Sequence, residues 1–334
     1  MHRRPLQLLA AALVGVLALG ACSGSDGGDP DSPGSGSAQA QTANPYAGRD
    51  AYADPDSRTA EAAAKARADG DTDAERVLQR LASIPQGIWL TPEQYPAGAV
   101  GPFVQGVVDA ADASGEVPTF VVYGIPDRDC TGGFSGGGLP ADQYGPWVQE
   151  IADAAAHGEH AAVVVEPDAL AASLECDSSA ERVRLIKDAV DRFRASGVTT
   201  YVDGGHSNWV EPAELADLLE QVGVEDVRGF ATNVANYQTN EDEIAYAEKL
   251  SDLVGGAHYI VDTGRNGFGS TDDWCNPSGR AFGTEPTVSN DGEHLDAYAW
   301  IKPPAESDGQ CGGGPAAGEL WPERALELAA ASGW

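Results

Sequence analysis

Two carboxylates close an apolar run in the segment AAVVVEPDAL, residues 161–170. Glu166 and Asp168 flank Pro167 there, directly after residues that are typical of a buried strand. Acids at a strand tip can transfer protons when their surroundings move their pKa toward neutrality. We expect Asp168, which lies past the tip, to be the proton donor, and Glu166 to be a buried supporting group. Taken alone, Asp168 could instead be the cap of a helix beginning at DALAASLE.

Other apolar runs also end in polar residues, in the segments YGIPDRDC, VDGGHSNW, TNVANY, VDTGRNG and WIKPPAESDG. In an α/β barrel the carboxyl ends of the strands form one face, so residues from distant parts of the chain meet there. The acids expected on that face are Asp129, Glu166, Asp168, Asp203, Asp262, Glu306 and Asp308. Of these, Glu166 and Asp262 are interpreted as structural. For Asp203, a role in supporting catalysis and a purely structural role are equally compatible with the sequence.

Seven apolar segments alternate with amphipathic helices between residue 87 and residue 304. They are GIWL, TFVVYGIP, AAVVVEPD, VTTYVDGG, RGFATNVANY, HYIVDTGRNG and DAYAWIKPP. This alternation predicts an α/β fold, a distorted (β/α) barrel with about seven parallel strands, in one domain spanning 44–334. A doubly wound open sheet is the structural rival, although no GxGxxG motif follows the first strand.

The composition excludes several classes of function. The chain has 20 Lys and Arg against 52 Asp and Glu, a net charge of −32, which disfavours nucleic acid and anionic lipid as partners. It contains no CxxC or HExxH motif, so we expect no metal or other cofactor. Many carboxylates together with seven Trp residues favour glycoside hydrolysis, in which one carboxyl group must stay protonated and a second must remain ionised.

The N-terminus is typical of an exported protein. Arg3 and Arg4 precede an uncharged apolar run, residues 8–21, that is too short for a comfortable membrane span. We predict a signal peptide over 1–21 that ends in LGAC, similar to a bacterial lipobox, with Cys22 as the lipidated residue; a plain secretory signal is the alternative. Residues 22–43, rich in Gly, Ser and Pro, are interpreted as a flexible tether. The remaining four Cys residues favour two disulfides.

The quoted strand-end segments, with VVVEPDAL and WCNPSGRAFG, resemble glycoside hydrolase family 6, which contains inverting cellulases. The resemblance runs in order from about Asn44 to the C-terminus. It implies that Asp168 is the general acid, that Asp129 raises the pKa of Asp168 and orients the attacking water, and that Asp308 is the proposed base. Asp203 matches a further acid that shapes the site.

The same resemblance implies a set of sugar-binding residues and a disulfide pairing. Aromatic rings suit the apolar C–H faces of sugars, and polar side chains suit their hydroxyls. The implied residues are Trp89, Tyr123, Ser135, His206, Trp209, Asn236, Trp274, Arg280, Trp300, Lys302 and Glu306. The implied disulfides join Cys130 with Cys176 and Cys275 with Cys311.

No large insertion lies within either Cys-bounded segment, so we expect an open cleft and endoglucanase action on a β-1,4-glucan by a monomer. Four alternatives stay open: a cellobiohydrolase acting on chain ends, a glucan-binding lipoprotein without turnover, a related polysaccharide such as mixed-linkage glucan as the substrate, and a retaining mechanism. We expect localisation outside the cell, secreted or held at the cell surface by a lipid anchor.

Overall fold

The structure is a computed structural model and describes residues 41–176, 178–271 and 273–334. The predicted signal peptide, Cys22 and all of the predicted tether except 41–43 lie outside the described residues. No helix in the described part of the chain is long and apolar enough to cross a membrane.

Eight strands in the described residues form one sheet. They are β1 (Ile88–Leu90), β2 (Thr119–Val122), β3 (Ala162–Val165), β4 (Thr199–Asp203), β5 (Gly229–Thr232), β6 (His258–Asp262), β7 (Thr287–Val288) and β8 (Leu295–Ala299). Their order is β1-β2-β3-β4-β5-β6-β8-β7, and every pairing is parallel except that of β7 with β8. The predicted barrel of about seven parallel strands is confirmed, with the short antiparallel β7 added at one edge.

Two helices among the described residues precede β1, and helices alternate with the strands from β1 to β6. They are α1 (Arg58–Asp69), α2 (Thr72–Ala82), α3 (Val100–Ser114), α4 (Ala141–Ala155), α5 (Ala169–Ser173), α6 (Ser179–Ser196), α7 (Pro212–Val222), α8 (Asn240–Leu253) and α9 (Pro322–Ala331), with a 3₁₀ turn at Val224–Asp226. Gly70 separates α1 from α2 in the left-handed conformation, and Asp71 caps α2 by accepting from the Ala74 N–H at 3.0 Å. Gly197 ends α6 in the same way as Gly70 ends α1.

The sheet is buried on both faces, as expected where helices cover parallel strands. Phe120 and Val122 of β2 pack in the large cluster under the helices, whereas Val121 points to a smaller cluster enclosed by the curled sheet. Because side chains alternate along a strand, β4 likewise sends Val202 to the helices and Tyr201 to the interior. This two-sided burial explains why the strands read as unbroken apolar runs.

The register of the strands brings their carboxyl ends to one level. Val122, Val165 and Val202 are consecutive partners across β2, β3 and β4. The residues that follow β2 and β3 therefore lie beside the last residue of β4, Asp203. Parallel pairing thus collects polar residues that are about 40 positions apart in the sequence.

The sheet does not pair its first strand with β8, but two hydrogen bonds link these regions. The Gly87 N–H donates to the Trp300 carbonyl and Trp89 Nε1 donates to the Ile301 carbonyl, both at 2.8 Å. A methyl group on Gly87 would lie 2.2 Å from the Ile301 oxygen. Only glycine therefore permits this close approach, which holds the two sides of the curled sheet together.

Gly87→Ala is expected to reduce the free energy of unfolding by about 1–3 kcal/mol, because the new methyl group overlaps the Ile301 carbonyl. Urea unfolding followed by circular dichroism measures the change. The control is Gly106→Ala in α3, where no atom lies within 4 Å of the added methyl; it should stabilise the helix by up to about 1 kcal/mol. Equal stability of wild type and Gly87→Ala would contradict the close approach of Gly87 to the Ile301 carbonyl.

Candidate active site

A cleft with a volume of about 1090 Å³ lies at the carboxyl ends of the strands. It brings together residues from the first to the last parallel strand. The predicted site residues that line it are Trp89, Tyr123, Asp129, Ser135, Asp168, Asn236, Trp274, Lys302, Glu306 and Asp308. The other five, which are Asp203, His206, Trp209, Arg280 and Trp300, do not line this cleft.

Asp168 lies at the base of the cleft in a backbone conformation that is unusual for a residue other than glycine. Its φ angle is +68°, immediately before α5, and its side chain makes no capping hydrogen bond to that helix. Its own N–H donates to Asp203 Oδ2 at 3.0 Å. Asp168 occupies the N-cap position of α5, but its carboxyl group does not cap the helix, so the helix-cap interpretation does not account for this side chain. Strained conformations of this kind cluster at functional sites.

The surroundings of Asp168 favour its protonated form. Burial is the largest cause that raises its pKa, to about 7 from an ordinary value of 3.8, and the negative charges of Asp129 and Asp308 raise it further. Lys302 and Arg182 act in the opposite direction. Desolvation and like charge both penalise the ionised form, which is the environment that a proton donor near neutral pH requires.

Asp129 is fixed by the loop that follows it. Its Oδ2 accepts from the N–H and the hydroxyl of Ser135 at 2.7 and 3.1 Å, and its Oδ1 accepts from the Gly132 N–H at 3.0 Å. Ser135 Oγ is also 3.0 Å from the Tyr123 hydroxyl. Asp129, Ser135 and Tyr123 thus form one hydrogen-bonded group at the side of the cleft.

Asp203 lies beneath Asp168 rather than in the cleft. It is buried, and its Oδ2 accepts from the backbone N–H groups of Asp168 and Gly205 at 3.0 and 3.1 Å. Burial, followed by the charge of Asp168, raises the pKa of Asp203 well above its usual range. Its contacts are those of a residue that positions the Asp168 backbone.

Asp308 is held by three donors. Oδ1 accepts from Arg265 Nη1 at 2.8 Å, and Oδ2 accepts from the Tyr237 hydroxyl and the Asn276 N–H, both at 3.0 Å. A carboxylate oxygen offers about two acceptor positions, so a single position on Oδ1 is left for a further partner. Arg265 belongs to the quoted VDTGRNG segment, but the sequence does not indicate which carboxylate it pairs with.

Glu166 is buried, as predicted. Its Oε1 accepts from the Gly124 N–H at 2.9 Å, and burial raises its pKa to about 7. Asp262 is also buried and accepts from the backbone N–H groups of Ala235, Gly264 and Lys302. Both acids hold neighbouring strand ends together, which agrees with their structural interpretation.

Two of the four predicted tryptophan platforms line the cleft. Trp274 is 51% exposed, and Trp89 packs edge-on against Tyr123 with ring centroids 5.1 Å apart. Lys302 Nζ lies 5.2 Å from the Trp89 ring and 3.7 Å from Glu306 Oε2. Asn236 reaches the cleft while its side chain donates to the Val234 carbonyl at 2.9 Å.

The expectation for Trp300 is wrong. This side chain is only 1% exposed, and its ring stacks 5.3 Å from Phe282 in a core formed with α1, α2 and α9. No sugar can reach a ring buried in this way. The strand β8 ends at Ala299, so the side chains of the WIKPP segment do not follow strand alternation, and Lys302, but not Trp300, lines the cleft.

Arg280, His206 and Trp209 lie outside the cleft lining. Arg280 Nη1 donates to the Gly269 carbonyl at 2.6 Å and thereby holds a neighbouring loop. The rings of His206 and Trp209 are 5.6 Å apart, and Trp209 Nε1 donates to Glu175 Oε1 at 2.7 Å. Burial lowers the pKa of His206 to about 4, so this imidazole is neutral at pH 7.

Both implied disulfides are confirmed. Cys130 is bonded to Cys176 and Cys275 to Cys311. One bond begins directly after Asp129, and the other ends three residues after Asp308. Each disulfide therefore limits the movement of a segment that carries one of the cleft acids.

Comparison with known proteins identifies the family. The model for glycosyl hydrolases family 6 matches residues 46–332. The chain belongs to glycosyl hydrolase family 6. A similar solved structure is that of the endoglucanase Cel6 from Mycobacterium tuberculosis, in complex with methyl-cellobiosyl-4-deoxy-4-thio-β-D-cellobioside. That structure is 42% identical, with a TM-score of 0.81, and the match covers 87% of this chain and 100% of the other.

Two curated relatives in the family are named Endoglucanase A. The one from Cellulomonas fimi is 42% identical over 258 residues, which cover 77% of this chain and 57% of the relative. The one from Thermobispora bispora is 37% identical over 287 residues, covering 83% and 61%. The family 6 chain therefore spans about three fifths of the length of these relatives.

Arg265→Ala should lower the free energy of unfolding by about 3–5 kcal/mol, because it leaves the buried Asp308 charge without its cation. Both side chains are nearly inaccessible, at 2% and 6% exposure. Urea unfolding at pH 7 measures the loss. The control is Lys65→Ala, which removes an exposed pair with Asp69 and should leave the stability nearly unchanged. A similar small effect for both variants would contradict the role given to Arg265.

Proposed function

We propose that this chain hydrolyses internal β-1,4-glucosidic bonds of cellulose or a related β-glucan, with inversion of the anomeric carbon. The observation that carries the proposal is the partly buried Asp168 on the cleft, where burial, followed by the charges of Asp129 and Asp308, raises its pKa to about 7. Membership of glycosyl hydrolase family 6 and the similarity to two proteins named Endoglucanase A support the same activity.

Asp168 acts as the general acid in this proposal. It donates its proton to the glycosidic oxygen as the bond to the anomeric carbon breaks, so the leaving sugar departs as an alcohol. Because the donor must be protonated, the rate is expected to fall as the pH rises through about 7. Asp203 positions this group through the Asp168 N–H, at 3.0 Å.

Water attacks the opposite face of the sugar ring in an inverting reaction. Asp129 and Ser135 are the proposed groups that orient this water, since they already share two hydrogen bonds beside the cleft. Asp308 is the proposed base. With three donors bound, it can receive the water proton through the remaining position on Oδ1, directly or through a second water.

The cleft suits an uncharged, extended polysaccharide. Trp89 and Trp274 offer aromatic surfaces to the apolar faces of glucosyl rings, and Lys302 and Glu306 offer hydrogen bonds to hydroxyls. Further proposed sugar contacts, or supports for such contacts, are Tyr123, His206, Trp209, Asn236 and Arg280.

The proposed location of the chain is outside the cell, where it acts as a monomer that is either tethered through lipidated Cys22 or freely secreted. The two disulfides support an oxidising location.

The test of this function compares wild type with Asp168→Asn on carboxymethyl-cellulose and on cellotetraose. We expect wild type to lower the viscosity of the polymer early, and Asp168→Asn to lose activity by a factor of about 10²–10⁴ while still binding cellotetraose in calorimetry. The control variant is Asp109→Asn, at an exposed position on α3, which should keep full activity.

Three outcomes would contradict parts of the proposal. Wild type that releases no reducing ends from any β-glucan would leave only a glucan-binding protein. Release of cellobiose without an early loss of viscosity would indicate attack at chain ends. A β-anomer as the first product in proton NMR would rule out inversion.

A further inference from the structure

Two exposed aromatic rings meet above the cleft acids. Phe134 is 42% exposed and Trp274 is 51% exposed, and their ring centroids lie 5.9 Å apart at an interplanar angle of 62°. Phe134 belongs to the segment closed by the Cys130–Cys176 disulfide. Trp274 directly precedes Cys275, which begins the segment closed by the other disulfide. The contact therefore joins the loop after Asp129 to the segment that the Cys275–Cys311 disulfide links to the loop of Asp308.

A glycine lies against each of the two aromatic side chains, Gly309 against Phe134 and Gly132 against Trp274. A methyl group on Gly309, the residue after Asp308, would lie 2.5 Å from Phe134 Cβ and 2.6 Å from its Cγ. A methyl group on Gly132 would lie 3.2 Å from the Trp274 ring and 2.4 Å from Asp129 Oδ1. The packing is thus reciprocal, with Phe134 on Gly309 and Trp274 next to Gly132. These four residues are named the aromatic clasp.

The loop that bears Phe134 is rich in glycine. Gly132, Gly133, Gly136, Gly137 and Gly138 surround Phe134 in the sequence, and glycines lose more conformational freedom than other residues when a loop becomes ordered. The opposite side of the loop is fixed by Arg128 Nε, which donates to the Ser135 carbonyl at 2.9 Å, and by Glu93, which accepts from the Gly138 N–H at 3.1 Å.

The position of this loop determines the surroundings of Asp129. Its carboxylate accepts from the N–H groups of Gly132 and Ser135, and its carbonyl accepts from the Gly133 N–H at 2.9 Å. Phe134 lies between these donors in the sequence. A loop that lifts away from Gly309 would carry the Ser135 hydroxyl away from both Asp129 and Tyr123.

We propose that the aromatic clasp holds the 131–139 loop over the cleft, and that Phe134 is a positioning residue that keeps Ser135 hydrogen-bonded to Asp129. The ring of Phe134 makes no contribution to the chemistry itself; it acts through Ser135. The effect of Phe134 on catalysis rests on the proposed hydrolysis, whereas its effect on the order of the 131–139 loop does not.

The test measures hydrogen–deuterium exchange and kinetics on the same variants of the full chain. Phe134→Ala should speed exchange of the Gly132, Gly133 and Ser135 amides by about tenfold, since their hydrogen bonds to Asp129 open more often. On cellotetraose it should lower kcat by about tenfold and change KM by less than about threefold, because the platforms Trp89 and Trp274 remain.

Two further variants separate positioning from a general loss of apolar surface. Phe134→Leu retains an apolar side chain on Gly309 and should recover most of the protection and most of kcat. Phe268→Ala removes another exposed aromatic ring, 59% exposed, that makes no ring contact with the clasp, and should leave the 131–139 loop unchanged.

If the three amides of Phe134→Ala exchange as slowly as those of wild type, the clasp does not hold the loop, whatever the kcat of the variant. Faster exchange with an unchanged kcat would overturn the positioning role of Phe134. If wild type hydrolyses no β-glucan, the proposed function fails, and the exchange comparison still decides whether the clasp holds the loop.

Discussion

Desolvation of Asp168 beside other carboxylates is the constraint on which the site depends. Burial and the charges of Asp129 and Asp308 move its pKa from 3.8 to about 7. The folded chain consequently binds this proton more tightly than the unfolded chain does. The stability that this group contributes is present at low pH and is lost as the pH rises from about 4 through about 7. The raised pKa that a proton donor near neutral pH requires therefore lowers the free energy of unfolding over the same pH range.

The backbone around the acids is arranged to maintain this environment. Asp129, Glu166 and Asp168 all have positive φ angles, between +50° and +68°, a conformation that non-glycine residues adopt at a free-energy cost of about 1–3 kcal/mol each. The buried carboxylates provide the compensation. Asp203 accepts from the N–H of Asp168, and Glu166 accepts from the N–H of Gly124, two residues after the end of β2. Several acids that resemble catalytic groups in the sequence thus support Asp168, the proposed proton donor.

The parts of the fold that repeat locally could be predicted from the sequence. Apolar runs buried on both faces give the seven parallel strands, and Gly70 and Gly197 mark helix ends because only glycine adopts the left-handed conformation freely. The site residues were harder to predict, because a motif does not specify the direction of each side chain. Trp300 and Lys302 belong to one segment, yet the ring is in the core and the amine lines the cleft. The pairing of Arg265 with Asp308, across 43 positions, has no signal in local sequence.

The protonation of Asp168 is the central claim, and a carboxyl carbon NMR titration of the full chain tests it most directly. The Asp168 resonance is assigned by its absence from Asp168→Asn. The account predicts a midpoint of about pH 7 in wild type and a lower midpoint in Asp129→Asn, because that change removes a neighbouring negative charge. A wild-type midpoint near pH 4, or one that Asp129→Asn leaves in place, would contradict it.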